Sequence, residues 1–434
     1  MPVAIHGKSR ILNIFSWLYP LFIFSYSFTA ESREVDFFAV ADAGIAINDA
    51  GTTWLNGGLG KTRDDEDGVA LDQAMLGMDL HLTDTLTVRA VGSYYTDPDA
   101  GPDTQFGVTE AYLQYRPIPR SPVRYEIRAG AYLPPLSMEN VTRGWLSPYT
   151  WTPSAINTWF GEELRSVGIE ARVEHMGRFS GSPHDFSLTA SVFGVNDPAG
   201  SLLAWRGWTL HGRQTRLFES VPFTELPAFT PGRAFELQSQ WDTPFLEVDD
   251  EIGYYLQGEW DYGRRSELTV AWYDNRGIPT ALSDSEGQYA WHTRFIHLGW
   301  HLKLPRDFEF IAQYINGDTG MGMVWQPRVT GVVVDFESFF LLLTKQFGSH
   351  RFSVRYDNFS TDDHDNTFMD DNDERGHAWT LAYFWNAKPN LRLGLEWLQI
   401  DSKRSARGYI GQAAVQQDSH LFAGVRWRFD SAEH

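Results

Sequence analysis

The last stretch of the chain alternates strictly. Leu421, Ala423, Val425, Trp427 and Phe429 interleave with Asp418, His420, Gly424, Arg426 and Arg428. A β-strand points successive side chains to opposite faces, so this segment has one apolar wall and one charged wall. The apolar wall finishes in two aromatics, the pattern of a strand that leaves hydrocarbon for a headgroup layer. About sixteen segments of this kind follow one another from residue 35 onward.

In the first half they are Val35–Ile47, Val69–Leu82, Thr87–Tyr95, Phe106–Arg116, Val123–Leu133, Val167–His175 and Phe186–Val195. The second half supplies Tyr254–Tyr262, Glu267–Asn275, Tyr289–Leu304, Phe308–Ile315, Val332–Phe347, Arg351–Asn358, Ala378–Trp385, Leu391–Ile400 and Asp418–Phe429. Connections alternate short and long. Short ones such as Thr83-Asp84-Thr85, Gly263-Arg264-Arg265 and Pro305-Arg306-Asp307 carry residues that supply turn geometry. The longest run over 134–165 and 196–251. Strict alternation places every second strand end on one rim, which an up-and-down meander explains. An open sheet of this size would expose two edges. The pattern therefore predicts an all-β, transmembrane, antiparallel barrel, with short periplasmic turns and long external loops. A soluble propeller would instead repeat a blade signature every ~40–50 residues, and none occurs.

Parity assigns the two walls. In Val123–Leu133, Val123, Tyr125, Ile127, Ala129, Ala131 and Leu133 share one face, and Arg124, Glu126, Arg128, Gly130 and Tyr132 the other. An Arg on a lipid face costs about 2–4 kcal/mol near the midplane, so the charged face lines the lumen. The same reasoning turns Glu170, Arg172, Glu174, Arg351, Arg355, Asp357, Arg392, Glu396 and Arg426 inward. Arg124, Arg128, Arg172, Arg355, Arg392 and Arg426 are the predicted pore-lining cations. Charges of both signs in such number predict an aqueous lumen. Two segments break the pattern. Arg294 shares parity with Ile296, Leu298, Trp300 and Leu302, which requires a bulge or a headgroup position. Phe339–Leu343 is apolar throughout, which suits a strand facing another subunit outside and a packed plug inside.

Composition adds bounds. The 434 residues carry a net charge of −20 and no cysteine. Disulfides and thiolate metal sites are excluded, no cofactor is called for, and the acidic balance argues against nucleic acid. After residue 28 no apolar run approaches the ~20 residues of a membrane helix. Residues 1–30 read as a secretory signal: His6, Lys8 and Arg10 precede an apolar stretch from Ile11 to Phe28, with cleavage after Ala30 or Ser27. An uncleaved anchor is the alternative. Residues 31–434 then form the barrel.

At Arg128–Asn140 the sequence R-A-G-A-Y-L-P-P-L-S-M-E-N resembles the entry to the third external loop of the phosphate-selective porin family. The likeness extends loosely over the mature chain. It implies a bacterial outer-membrane diffusion channel for small hydrophilic or charged solutes, usually a homotrimer, with the third loop folded into the pore. Pro134–Arg165 would be that constriction loop, with Glu139, Arg143, Glu162, Glu163 and Arg165 facing wall arginines. Opposed charges of this kind select by a transverse field, or else simply fasten the loop. Outer-membrane lipid, lipopolysaccharide and the barrel-assembly machinery are the implied partners. The chain departs from the family twice. It has few lysines where phosphate-selective members present lysine ladders, leaving anion preference to the arginines. Asp430–His434 also follow the terminal aromatic strand.

Other constellations are weaker. Asp362-Asp363-His364-Asp365 and Asp370–Glu374 form an acidic external loop without calcium-loop spacing. Its plainer reading is a solvated loop; divalent cations shared with lipopolysaccharide are the sharper one. Gly60-Lys61-Thr62 lacks the first glycine of a phosphate loop, since position 55 is Leu. His297 and His301 lie too far apart along a strand to chelate one ion. Aromatic residues Trp205, Trp208, Phe218, Phe223 and Phe229 make 196–251 either a packed lid or a sugar-stacking surface. An esterase- or phospholipase-like barrel and a non-conducting surface barrel are the competing functions. The first would need a Ser–His pair that no pattern supplies, and the second is separated by conductance.

Overall fold

The computed structural model describes residues 34–95, 105–325 and 328–433. The expected signal lies outside them. Sixteen antiparallel strands close into one barrel in sequence order. The first seven are β1 (Glu34–Asp49), β2 (Gly68–Thr83), β3 (Leu86–Tyr94), β4 (Phe106–Tyr115), β5 (Val123–Tyr132), β6 (Ser166–His175) and β7 (His184–Gly194). After the long connection come β8 (Gly253–Tyr262), β9 (Ser266–Asp274), β10 (His292–Leu304), β11 (Phe308–Trp325) and β12 (Arg328–Phe347). The barrel ends with β13 (His350–Asp363), β14 (Glu374–Lys388), β15 (Leu391–Arg404) and β16 (Val415–Asp430). Closure is made by β16 pairing with β1, from Phe38↔Asp430 to Asp49↔Ser419.

Every predicted segment falls on a strand of this barrel, but Tyr289 pairs with Leu282 in a separate two-stranded sheet, so that strand starts at His292, and several others run further than the alternation of apolar residues. The predicted break between Ile315 and Val332 is continuous ladder, with Asn316 opposite Glu337 and Val324 opposite Val329. Polar residues there no longer need to alternate with apolar ones, because the hairpin stands clear of hydrocarbon while its backbone pairing continues. Tight turns close the opposite rim. Gly263 and Arg264, like Arg306 and Asp307, both have positive φ, the geometry of a two-residue turn that matches strand twist.

The outer face is apolar. Ile127, Ile169, Leu188, Leu256, Val270, Leu298, Leu341, Leu381 and Leu395 are exposed around the girth. Tyr125, Phe186, Tyr262, Phe352, Trp385 and Phe429 stand outward near the short-turn rim. Such a band, edged by aromatics, is the exterior of a barrel solvated by lipid. Among the described residues no helix is long and apolar enough to cross a membrane.

Both irregular segments resolve. β10 pairs without a shift to β9 and β11, so Arg294 needs no bulge. It sits near the long-loop end of its strand, half exposed, 2.9 Å from Asp318. In Phe339–Leu343, Phe340 and Leu342 are fully buried inside while Leu341 and Leu343 face out. What covers them inside is a helix, α1 (Ala155–Glu163), packed within the barrel against β11, β12 and β13.

Candidate functional site

The lumen is not an empty pipe. Two connections fill its middle: loop 3 (133–165), which contains α1, and loop 4 (195–252), which contains a short helix, α2 (Ser201–Trp205). Pro134-Pro135 ends β5, and Ser154 caps α1 by accepting from the Asn157 N–H at 3.3 Å. Loop 3 is then tied to the inner wall by charged groups. Arg355 donates to Glu139 Oε1 (2.6 Å), to Thr152 O (2.7 Å) and to Pro153 O (3.0 Å), while its Nε binds Asp357 (2.7 Å). Glu396 accepts from the backbone N–H groups of Trp151 (2.6 Å) and Thr152 (2.9 Å). Arg392 reaches Pro148 O, and Arg426 reaches Ser147 O, each at 3.2 Å. Arg426 also grips Asp42 with two bonds of 2.7 Å.

Loop 4 locks onto α1 from the long-loop side. Glu162 pairs with Arg206 and lies 3.1 Å from His211. Burial raises the Glu162 carboxyl, but Arg206 and then His211 outweigh it and hold it at about 2. Its neighbour behaves oppositely. Glu163 accepts from the N–H groups of Gly200 (3.1 Å) and Leu202 (2.9 Å), and from the Trp159 indole. Burial nonetheless pushes it up to about 7. Asp242, bonded to Ser201, is driven well above the carboxylate range by burial and then by Glu163. Aromatics complete the seal: Trp159 meets Trp208, Phe295 and Phe336, and Trp205 meets Phe223, Phe229 and Trp291. Trp205, Trp208, Phe223 and Phe229 are therefore a packed lid, whereas Phe218 is exposed.

Toward the short-turn rim the lumen opens into a vestibule whose charges pair along the wall. Arg124 pairs with Glu174. Arg128 meets Glu170 through two bonds of 2.8 Å and lies 4.6 Å over the Tyr132 ring. Arg172 binds Glu259 at 2.9 and 3.0 Å. Arg351 and His301 share Glu309.

All six predicted wall arginines thus point inward, but they divide. Arg355, Arg392 and Arg426 hold loop 3, and only Arg355 does so through a loop carboxylate. Arg124, Arg128 and Arg172 pair with wall glutamates instead. Of the loop charges, Glu139 meets Arg355 as expected. Arg143 turns to Asp430 (3.2 Å) and Asp79 (3.9 Å), because a cation pairs with carboxylates and is repelled by the wall arginines. Glu162 and Glu163 face loop 4, since α1 presents its C-terminal end there. Arg165 is buried, donating to Thr215 O beside the Phe245 ring.

The structure brings in residues that the sequence reading did not name. Asp42 and Glu259 stand at inward positions, so parity could have found them. Arg206 and His211 lie in a segment without periodicity and give no sequence signal. Lys61, set aside above as no phosphate loop, and Glu374 of the acidic segment form with the unnamed Arg404 a fully buried cluster that joins the connection 50–67 to the ends of β14 and β15. The acidic connection after β13 caps its own backbone: Asp363 accepts from Asp365 and Asn372 N–H groups (2.9 Å each), and Asp365 from Val333 and Thr367.

No protein-family model and no curated protein sequence matches the chain. Solved structures do. The outer-membrane channel DcaP of Acinetobacter baumannii is similar at a TM-score of 0.51 and 10% identity, over 93% of this chain and 99% of that one. OmpT, an outer-membrane protein of Vibrio cholerae, is similar at 0.50 and 8% identity, over 92% and 99%. Its trimer form gives the same score and identity, over 92% and 100%. At these identities the likeness is one of fold. A closed sixteen-stranded barrel of this fold, with its apolar belt, is a bacterial outer-membrane barrel.

Proposed function

We propose that this barrel is a porin-type passive channel for small hydrophilic solutes, working as a homotrimer, in which loops 3 and 4 hold a narrow, closed constriction. The observation that carries the reading is the inner wall. Its charges pair with opposite ones on the same or a nearby strand and continue into an open vestibule, while the outer wall is apolar. A barrel needing only to stand in lipid has no use for that expensive lining. The trimer rests on the similar trimeric barrel and on the outward apolar strip Leu341 and Leu343.

An anion preference finds support in one cavity. Arg143, Arg426 and Arg428 surround a cavity of about 610 Å³ at the short-turn side, with Asp430 the one acidic residue in its lining. Phosphate selectivity in particular would need a lysine ladder, which the sequence does not supply. A second reading, a non-conducting structural barrel, is favoured by the packed aromatic lid. Single-channel recording of the purified protein in planar bilayers, with a salt gradient, separates the two. Steps in threes and a reversal potential on the anion side are expected. A barrel that is folded, as judged by heat-dependent gel mobility, yet never conducts, would overturn the channel.

A further inference from the structure

One strip of the inner wall is built without side chains. Gly44 of β1 pairs with Gly424 of β16, and Gly424 with Gly394 of β15, so three inward glycines lie in a row at one height. The space they leave is filled by rings. A Cβ added at Gly44 or Gly424 would run into the Phe422 ring, and one at Gly394 would stand 2.7 Å from the Trp151 indole nitrogen. Trp151 comes from loop 3. It sits edge-on to Phe384 (5.1 Å) and Phe422 (5.5 Å), with the Arg426 guanidinium 4.8 Å over its face. Its backbone is pinned to Glu396, so the indole can swing while the loop stays anchored.

Cavities lie beside this strip, around Trp151 and Leu146, although none of the three glycines lines one. An outer one of about 30 Å³ touches Thr62, Asp72, His420 and Phe422. A middle one of about 10 Å³, the room for a single water, touches Gln73, Asn140 and Asn157. The two share Trp151, His211 and Gly212. Leu146 lies between the middle cavity and an inner one of about 610 Å³, which reaches the short-turn rim. The three cavities therefore step from the long loops to the vestibule side, closed from one another by Trp151 and by Leu146.

The closed position of that ring is imperfect. Trp151 is 8% exposed, and its indole N–H is buried without a hydrogen-bond partner. Acceptors Gln73 Oε1, Asn140 Oδ1 and Asn157 Oδ1 are likewise unpartnered, and their side chains line the middle cavity. A buried donor left unmade weakens the closed state relative to a position where water or a solute meets it. The opposite wall offers nothing comparable, being packed solid by Trp159, Phe160, Phe295 and Phe336.

We propose that solutes cross the barrel along the β15–β16–β1 wall, over the row of glycines, and that the Trp151 indole is the gate. This rests on the channel reading and names its route: small polar solutes and ions, passing a ring that must leave the glycine groove. An apolar constriction of this kind conducts when it is wetted or removed, so Trp151→Ala raises unitary conductance about threefold or more. Trp151→Phe keeps the ring and removes the unpartnered N–H, so it opens less often at unchanged conductance.

The absence of cysteine allows a direct trace of the path. In Leu146→Cys a charged methanethiosulfonate reagent blocks the current. In Thr269→Cys, inward on β9 across the lumen, it leaves the current unchanged. If Trp151→Ala does not fold, this pair decides alone. Block at position 269 but not 146, or a Trp151→Ala channel of unaltered conductance, overturns the route and leaves the channel standing. Folded wild type and Trp151→Ala that both fail to conduct overturn the channel reading itself.

Discussion

Arg355 and Arg172 stand on the same inner wall and make the same kind of bond, an arginine fork against carboxylates. Arg355 and its partner Glu139 are 0% exposed beneath loop 3, whereas Arg172 and Glu259 are 23% and 20% exposed in the vestibule. The chemistry is shared and the solvent differs. Under the loops each charge has lost its water and must be met by protein, so pairs become obligatory fasteners. In the vestibule water competes for each bond, so pairs set the local field without holding the fold together.

The comparison is broken most severely at Arg355. Arg355→Ala strands Glu139 and Asp357 without water, and removing one partner of a buried pair costs about 3–5 kcal/mol. The expected result is a lowered urea midpoint in lipid vesicles, with loop 3 becoming open to protease. Replacing all three groups by neutral residues of similar size (Arg355→Met with Glu139→Gln and Asp357→Asn) recovers most of that loss. If the single and triple variants lose equal stability, the pair is not the fastener.

A pH titration sharpens the same contrast within the lid. Glu163 is pushed up to about 7 by burial, and its ionised form faces Asp242 and Glu162 with Arg206 and His211 nearby. A carboxyl raised in the folded state contributes stability that is complete below its ordinary pKa of about 4.5 and is lost as pH rises through about 7. The contact between α1 and loop 4 is therefore tighter at about pH 6 than at about pH 8.5. Protease nicking of loop 4 and channel opening both increase over that interval, and Glu163→Gln flattens the rise. A profile with the opposite slope would place the controlling group elsewhere.

Legibility in the sequence followed the same division between wall and loop. Strands were readable because lipid on one side and polar lumen on the other impose a period of two; Ile127, Arg128 and Ala129 suffice to orient β5. Strand ends were misjudged where, as at Asn316 to Trp325, the ladder leaves the bilayer and the two-sided constraint stops. The direction of Arg355 and Arg426 could be read, and for Arg355 the facing Glu139 as well, but the partner of Arg426 could not. Arg426 meets Asp42 across the barrel closure, 384 residues away in sequence. The lid was the least readable. Glu162 finds Arg206 only because α1 and α2 pack against one another inside a closed barrel, a contact with no local periodicity.

The smallest effect belongs to the vestibule, and it tests whether burial rather than pairing is decisive. Arg172 binds Glu259 with two good bonds, a geometry no worse than that of Arg355. If pairing alone mattered, Arg172→Ala would destabilise the barrel as Arg355→Ala does. Exposed pairs instead contribute about 1 kcal/mol or less, because water replaces the lost partner and salt screens the rest. Arg172→Ala should leave the unfolding midpoint nearly unchanged while shifting the reversal potential toward cations, since Glu259 then faces the lumen uncompensated. The shift should fade at high salt, where the screening length falls to about 3 Å. A large stability loss without a change in selectivity would mean that the vestibule, like the lid, is held together by its charges.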